Sequence, residues 1–194
     1  MKNQNINNKV LYVFDLDDTI IQTTARIKAI HDDGSVEWLA SQQYSELTSY
    51  EGIQFDFTEF NSREILMGEA AYPLYVVFGG LIFAGYNVLL LTARENYDII
   101  DEWASENLHV DLTQIRTKLT PVHGFMVNCV HDPESQLVNP NTPTAEAKKQ
   151  VLQHIISKGG YQEIHVFEDS DEICKKLKSL ERDNIGLTVN IHPV

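Results

Sequence analysis

The stretch 10–19, VLYVFDLDDT, constrains this chain more than any other feature, because an apolar run leads directly into three carboxylates. Residues 10–14 are β-branched and aromatic without alternation, which predicts a strand buried on both faces. Asp15, Asp17 and Asp18 follow, and carboxylates this close repel one another unless a cation offsets their charge. Mg²⁺ suits such a cluster, since it binds through one or two carboxylates and keeps room for water and phosphate oxygens. An Asp-rich turn after a strand is the alternative explanation.

The composition limits the class of protein. With 194 residues, the chain has room for one domain, 1–194, with a small insert. The net charge of −13 argues against extended duplex binding, but it leaves room for a small basic pocket or a short single-stranded end. Cys129 and Cys174 form no CxxC pair and are expected to be reduced thiols. The polar start, MKNQNINNKV, and the absence of a long apolar run predict a cytoplasmic protein with no membrane partner.

Strand-like and helix-like segments alternate along the chain. Strands are predicted at 10–14, 87–91, 164–167 and 186–191, with one or two short ones in 115–130. Helices are predicted at 20–30, 73–84, 97–107, 143–158 and 173–180, with Thr142 as the candidate cap of the fourth. This order favours an α/β fold, a Rossmann-like three-layer sandwich with a mostly parallel sheet.

Residues 31–72 interrupt that alternation and are predicted to form a small cap insert packed over the site. They are mixed in character and rich in aromatic residues, including Trp38, Tyr44, Phe55 and Phe57. Aromatic side chains can stack on a nucleobase, as in proteins that bind single strands. The favoured interpretation is that these rings form the core of the insert.

Polar residues cluster at one kind of position. Asp15-Leu16-Asp17, Thr92 and Glu168-Asp169 each follow an apolar strand. In open α/β sheets, ligands bind at the carboxyl ends of the strands. Three such clusters at one edge arise by chance much less easily than one, so the sequence predicts a shared site there.

Four motifs in this order resemble those of the haloacid dehalogenase superfamily of phosphohydrolases. They are VLYVFDLDDTI, LLLTAR, a lysine at Lys148 or Lys149, and HVFEDSDE. Their order and spacing match over residues 10–175; the first and last motifs are the more specific. The resemblance implies a Rossmann-like core, dependence on Mg²⁺ and an aspartyl-phosphate intermediate.

The resemblance also implies roles for the acidic residues. Asp15 corresponds to the nucleophile, and Asp17 to the general acid/base that protonates the leaving oxygen and then activates water. Asp15 and Asp169 would hold Mg²⁺, together with the backbone carbonyl of Asp17. Glu168 matches the acidic residue that some members place before the metal-binding aspartate.

The remaining candidates bind the phosphoryl group in this interpretation. Thr92 would hydrogen-bond it and Lys148 would neutralise its charge, which is what phosphoryl transfer requires. Thr92 could instead simply end a strand, and the two lysines could be a solvated helix face. Lys148 is preferred because it lies one turn after the predicted start at Thr142-Pro143. Arg94 could cover the mouth of the site or pair with neighbours of Glu95, and binding of the substrate phosphate is the preferred role.

Two further acidic residues and the histidines also bear on metal binding. Asp18 and Asp171 are either capping carboxylates or further metal ligands, with capping favoured. The seven histidines show no HxxxH or HExxH spacing, which argues against zinc.

The substrate class is less constrained than the chemistry. The TAR…TxxxK…FEDSDE layout is most similar to members that act on nucleotide or nucleic-acid terminal phosphates, including the phosphatase half of polynucleotide kinase-phosphatases. No P-loop is present, so no kinase half is expected. The expected partner is a small-molecule phosphoester or a short nucleic-acid end.

Three alternatives remain open. They are a small-metabolite (sugar phosphate) phosphatase, a phosphoacceptor domain and a catalytically dead binding module. The intact DxD argues against a dead site.

Overall fold

A computed structural model describes residues 9–45, 51–108, 124–130, 137–139 and 142–194. The chain divides into two compact units. The first combines Met1–Gln22 with Ala71–Val194, and the second is Thr23–Ala70. The insert predicted at 31–72 overlaps the second unit, which begins earlier in the chain.

Regular elements account for most of the described residues. The strands are β1 Val10–Phe14, β2 Ile21–Gln22, β3 Ile27–His31, β4 Val36–Leu39, β5 Ile53–Asp56, β6 Ala70–Ala71, β7 Val88–Thr92, β8 Phe125–Cys129, β9 Glu163–Glu168 and β10 Thr188–Pro193. The α-helices are α1 Ser41–Ser45, α2 Arg63–Gly68, α3 Leu74–Phe83, α4 Tyr97–Leu108, α5 Thr144–Gly159, α6 Asp171–Lys178 and α7 Leu180–Asp183, and a 3₁₀ turn spans Thr58–Asn61.

The first unit is built on a five-stranded sheet in the order β10-β9-β1-β7-β8. Every neighbouring pair is parallel. The sheet is flanked by helices, which confirms the predicted α/β fold and its Rossmann-like layers. The central strands are buried, as parallel strands covered on both faces must be.

One face of this sheet carries the main apolar core. Inward-facing residues of the central strands, such as Leu11, Val13 and Leu89, pack with one stripe of α5 and with α6. The stripe of α5 repeats at helical spacing through Val151, Leu152 and Ile155. Gly160, at φ 64°, ends this helix in the left-handed conformation that glycine adopts without strain.

Aromatic packing covers part of the other face. The ring of Phe78, from α3, lies 5.2 Å from that of Phe14 and 5.6 Å from that of Phe125, both edge-on. Edge-to-face contacts of this kind are the geometry that aromatic rings prefer. The sheet is therefore packed on both faces.

The second unit has a small antiparallel sheet in the order β4-β3-β5. Its core is Ile27, Ala29 and Leu39, with partly buried aromatic residues packed against it. The Tyr44 ring lies 5.0 Å from the Phe55 ring and 5.4 Å from the Phe57 ring, while Tyr50 lies outside the described residues. Tyr44 and Phe55 are therefore core residues of this unit.

Two local predictions were wrong. The segment 20–30 is not helical: it forms a tight turn, the short β2 and then β3. Ile27 and Ala29 are buried while Lys28 between them is not, an alternation that indicates a half-buried strand. Thr142 does not cap α5, whose N-cap residue is Pro143, without a side-chain cap.

The other predicted elements are found within a few residues of their expected bounds. The prediction for 115–130 is met by β8, and the rest of that segment lies largely outside the described residues. Cys129 and Cys174 are buried and are not joined in a disulfide. Within the described part of the chain, no helix is long and apolar enough to cross a membrane.

Candidate active site

The acidic residues meet where β1 and β9 end side by side. Phe14 pairs with Phe167 across these parallel strands, so Asp15, which follows β1, lies at the level of Glu168, the last residue of β9. The backbone N–H of Asp15 donates to the carbonyl of Phe167 at 3.0 Å, which extends the pairing by one residue. The register of two buried strands thus places two carboxylates next to each other.

Lys148 joins these two carboxylates from α5. Its Nζ donates to Asp15 Oδ1 at 2.6 Å and to Glu168 Oε2 at 2.8 Å. Only 2% of Lys148 is exposed, because it lies in the buried stripe of α5 one turn before Val151 and Leu152. A buried ammonium needs such partners to offset its lost hydration.

Lys149, the alternative in the sequence, lies elsewhere. Its Nζ contacts Asp183 Oδ2 at 2.6 Å, and Asp183 belongs to α7. Lys148 is therefore the lysine that contacts the predicted nucleophile.

Asp15, Glu168 and Asp169 could hold a metal ion. One carboxylate oxygen from each lies within 4.8 Å of the others. An oxygen-only set is typical of Mg²⁺ sites, and zinc sites are more often built with nitrogen or sulfur ligands. Asp15 and Glu168 are buried and Asp169 is exposed, so the group has one side open to solvent. Asp17, a fourth predicted ligand through its backbone carbonyl, is not in this carboxylate group.

The charge balance of the group also fits a cation. Burial raises the pKa of Asp15 well above its ordinary value; Lys148 opposes this, and Glu168, Asp17 and Asp169 add to it. Partial desolvation and the neighbouring Glu168 raise the pKa of Asp169 to about 7. Burial disfavours the charge on Lys148, but Asp15 and Glu168 outweigh it and raise its pKa. One ammonium does not offset all the carboxylates, so a divalent cation would relieve the remaining repulsion.

Thr92 ends β7, the strand next to β1, and is completely buried. Its Oγ1 accepts a hydrogen bond from the backbone N–H of Arg94 at 3.2 Å. This contact fixes the turn that follows the strand.

The guanidinium of Arg94 forms an ion pair with the carboxylate of Asp17. Nη2 donates to Asp17 Oδ1 at 2.6 Å, and Nε lies 3.0 Å from Oδ2 and 3.2 Å from Oδ1. The preferred partner of Arg94 in the sequence was the substrate phosphate, and this ion pair was not predicted. No sequence pattern links the two residues, which are 77 positions apart.

Ser170 is a residue that sequence reasoning missed. Its backbone N–H donates to Glu168 Oε1 at 3.3 Å, and its hydroxyl accepts from the backbone N–H of Ile173, capping α6. The signal was available, because a serine three residues before the first apolar residue of a helix is a typical cap. Asp171, a possible ligand in the sequence, lies in the first turn of α6. Asp18 has φ 58°, in a turn where its backbone N–H donates to the carbonyl of Ile21.

A comparison of the chain with models of protein families, with curated proteins and with solved structures finds no significant match.

Proposed function

We propose that this protein is a Mg²⁺-dependent phosphatase of the haloacid dehalogenase type that hydrolyses a phosphomonoester through an aspartyl-phosphate intermediate. The observation that carries the proposal is the shared lysine: Lys148 bridges Asp15 and Glu168 in a buried position at the carboxyl ends of parallel strands. Burying three charged groups is costly, and packing alone gives no reason for it. Such perturbed, clustered groups are typical of active sites.

The proposed reaction has two steps. A carboxylate oxygen of Asp15 attacks phosphorus, the bond from phosphorus to the leaving oxygen breaks, and Asp17 gives that oxygen its proton. Water then attacks the aspartyl phosphate, its proton goes to Asp17, and the Asp15–phosphorus bond breaks. The products are the alcohol and inorganic phosphate, and both aspartates return to their first state.

The other residues position the phosphoryl group and balance its charge. The ammonium of Lys148 already contacts Asp15, and it would contact the phosphoryl oxygens as the ester enters. The Thr92 hydroxyl would donate to one of those oxygens. Mg²⁺, held by Asp15, Glu168 and Asp169, would supply positive charge against the transferred group.

The favoured substrates are nucleotides or nucleic-acid terminal phosphates. The support is the resemblance of the motif layout to phosphatases of that kind. Trp38, which is 49% exposed, could still stack on a base. The negative charge of the chain favours a mononucleotide or a short single strand over a duplex.

A second candidate, a small-metabolite phosphatase, is favoured by one observation. Tyr44 and Phe55 are partly buried against the core of the second unit, which leaves less of their rings open for stacking. This packing weakens the aromatic argument for a base-bearing substrate.

A substrate panel with Mg²⁺ tests the proposal. It should contain an aryl phosphate, nucleoside monophosphates, sugar phosphates and oligonucleotides with a 3′- or 5′-phosphate. We expect turnover of the aryl phosphate and a preference for nucleotides or oligonucleotides over sugar phosphates. Sugar phosphates hydrolysed at least about tenfold better, a difference of roughly 1.4 kcal/mol, would favour the second candidate. A stable phosphorylated Asp15 without turnover would instead indicate a phosphoacceptor domain, and no reaction at all would indicate a binding module.

A further inference from the structure

The two aspartates of the segment Asp15-Leu16-Asp17 are paired with different basic side chains. Lys148 contacts Asp15 and Glu168, whereas Arg94 contacts Asp17. Only 3% of Arg94 is exposed, although arginine is rarely buried to this degree unless it is paired. The division suggests different tasks for the two cations.

The Arg94–Asp17 contact has the geometry of an orienting contact. A guanidinium is a planar fork that fixes the plane of a carboxylate, whereas an ammonium acts as a point charge. Nε and Nη2 of Arg94 reach both oxygens of Asp17. The backbone N–H of Arg94 is in turn bonded to Thr92 at the end of β7. The orientation of Asp17 is therefore tied to the central sheet.

The two oxygens of Asp17 are not equivalent. Among the described residues, Oδ1 accepts from both Nη2 and Nε, at 2.6 and 3.2 Å, while Oδ2 accepts from Nε alone at 3.0 Å. Oδ2 thus keeps more of its acceptor capacity. The side chain of Asp17 is 15% exposed, against 2% for that of Arg94. The carboxylate is therefore the more exposed member of the pair.

We infer that Arg94 is a positioning residue that orients Asp17 for proton transfer through Oδ2, and that it does not act as a ligand of the substrate phosphate. This inference rests on the proposed function. If Arg94 left Asp17 to bind a phosphate, a buried ion pair would break. The Asp17 carboxylate would then lie beside the other acidic residues without its cation. If Arg94 stays in place, Oδ2 of Asp17 keeps its orientation while the leaving oxygen takes its proton and while water later returns one.

The test compares two aryl phosphates on the Mg²⁺-loaded full chain. Phenyl phosphate and 4-nitrophenyl phosphate share the transferred group, but phenolate needs a proton far more than 4-nitrophenolate does. A misaligned general acid should therefore affect phenyl phosphate selectively. The variants are Arg94→Met, which removes the charge, and Arg94→Lys, which keeps the charge and loses the fork. Lys149→Gln, which removes a lysine paired with Asp183 outside the site, is the control.

For both Arg94 variants we expect kcat/KM on phenyl phosphate to fall at least about tenfold more than kcat/KM on 4-nitrophenyl phosphate, within the range of general acid catalysis; kcat/KM is compared because the later water step is shared by both esters. KM should change by less than about twofold, since transition-state interactions are lost and not ground-state binding. Asp17→Asn should show the same selectivity. The double variant Asp17→Asn/Arg94→Met should lose little more than Asp17→Asn alone.

Two results would overturn the inference. One is an equal loss on both esters with a raised KM, which indicates phosphate binding by Arg94; the other is an unchanged ratio between the esters. Arg94→Lys keeps the buried charges balanced and decides the question if Arg94→Met does not fold. A wild-type chain that hydrolyses neither ester would instead overturn the proposed function, and the two failures are therefore distinguishable.

Discussion

The two compact units differ in whether they bury charged side chains. In the first unit, strand ends and one helix bury Asp15, Arg94, Lys148 and Glu168. In the described part of the second unit, the buried residues are apolar, and the contact between the His31 ring and the Glu37 carboxylate lies at the surface. Both units pack aromatic rings in their cores, so aromatic packing alone does not explain the contrast.

This contrast separates what folding needs from what a site needs. The second unit shows that apolar packing and surface polar groups suffice for a small sheet of this chain. Buried charges lower stability unless they are well paired, and replacing them by apolar residues is often neutral or favourable. Their concentration in the first unit therefore points to chemistry at the carboxyl edge of its sheet. The following predictions test that contrast, from the largest expected effect to the smallest.

Removing the attacking charge should have the largest effect. Asp15→Asn keeps the shape of the side chain, and it should reduce hydrolysis of an aryl phosphate by at least about a thousandfold, as loss of a nucleophile does elsewhere. The matched control is Asp56→Asn in the second unit, a partly buried carboxylate that accepts hydrogen bonds from the backbone N–H and the hydroxyl of Thr58. Near wild-type turnover by Asp15→Asn would exclude the aspartyl-phosphate mechanism.

The second-largest effect should come from removal of the metal ion, which should abolish activity. Chelation should stop hydrolysis and Mg²⁺ should restore it, because the Asp15, Glu168 and Asp169 cluster offers only oxygen ligands. Mg²⁺ should also raise the melting temperature, by the equivalent of about 2.7 kcal/mol at a hundredfold excess over Kd. Asp169→Asn should weaken this rise and Asp56→Asn should not. Activity that survives exhaustive chelation, or returns only with Zn²⁺, would contradict the assignment.

Breaking the buried ion cluster should destabilise the fold. Lys148→Met leaves Asp15 and Glu168 facing each other without their cation, and it should cost about 3–5 kcal/mol in the free energy of unfolding. The neighbouring change Lys149→Met removes a surface pair and should cost less than about 1 kcal/mol. Urea denaturation measures both. Lys148→Met/Glu168→Gln should regain part of the loss; equal stability of the two single variants would show that the cluster is not a coupled unit.

The second unit should respond to apolar changes instead. Phe55→Ala removes a partly buried ring that contacts Tyr44, and it should cost about 2 kcal/mol, less than a fully buried ring. Trp38→Ala removes a ring that is 49% exposed and should cost no more than about 0.5 kcal/mol. A raised KM for nucleotides in Trp38→Ala, with aryl phosphate unaffected, would support base stacking at this position.

The smallest effect should be a dependence of stability on pH in the metal-free protein. The pKa of Asp169 rises from 3.8 to about 7 on folding, so the folded state holds the proton more tightly than the unfolded state. Stability should therefore fall as pH rises between these two values and level off above them. The effect is small because Asp169 remains in contact with water. Melting curves at pH 5 and pH 7.5 measure it, and a slope that Asp169→Asn does not reduce would assign it to other groups.

Much of the fold could be predicted from the sequence, because buried parallel strands appear as continuous apolar runs. The strands at 10–14 and 87–91 and the helix that follows Pro73 were found near their true bounds. The prediction for 20–30 was wrong because the alternation of buried and less buried residues there, with Ile27 and Ala29 buried, is short and follows a tight turn. Its strand is defined by antiparallel partners that come later in the chain.

The sequence by itself determined which residue types end the strands, and hence that acidic groups and Thr92 would gather at one edge of a parallel sheet. Only the tertiary structure decided how the cations are distributed. Helical periodicity and the packing of α5 bring Lys148 to Asp15 and Glu168 and send Lys149 to Asp183. Arg94 reaches Asp17 because β1 and β7 are neighbours in the sheet, although the two residues are far apart in the chain. Charge pairing depends on distances of a few ångströms, and those distances exist only after the strands and helices have packed.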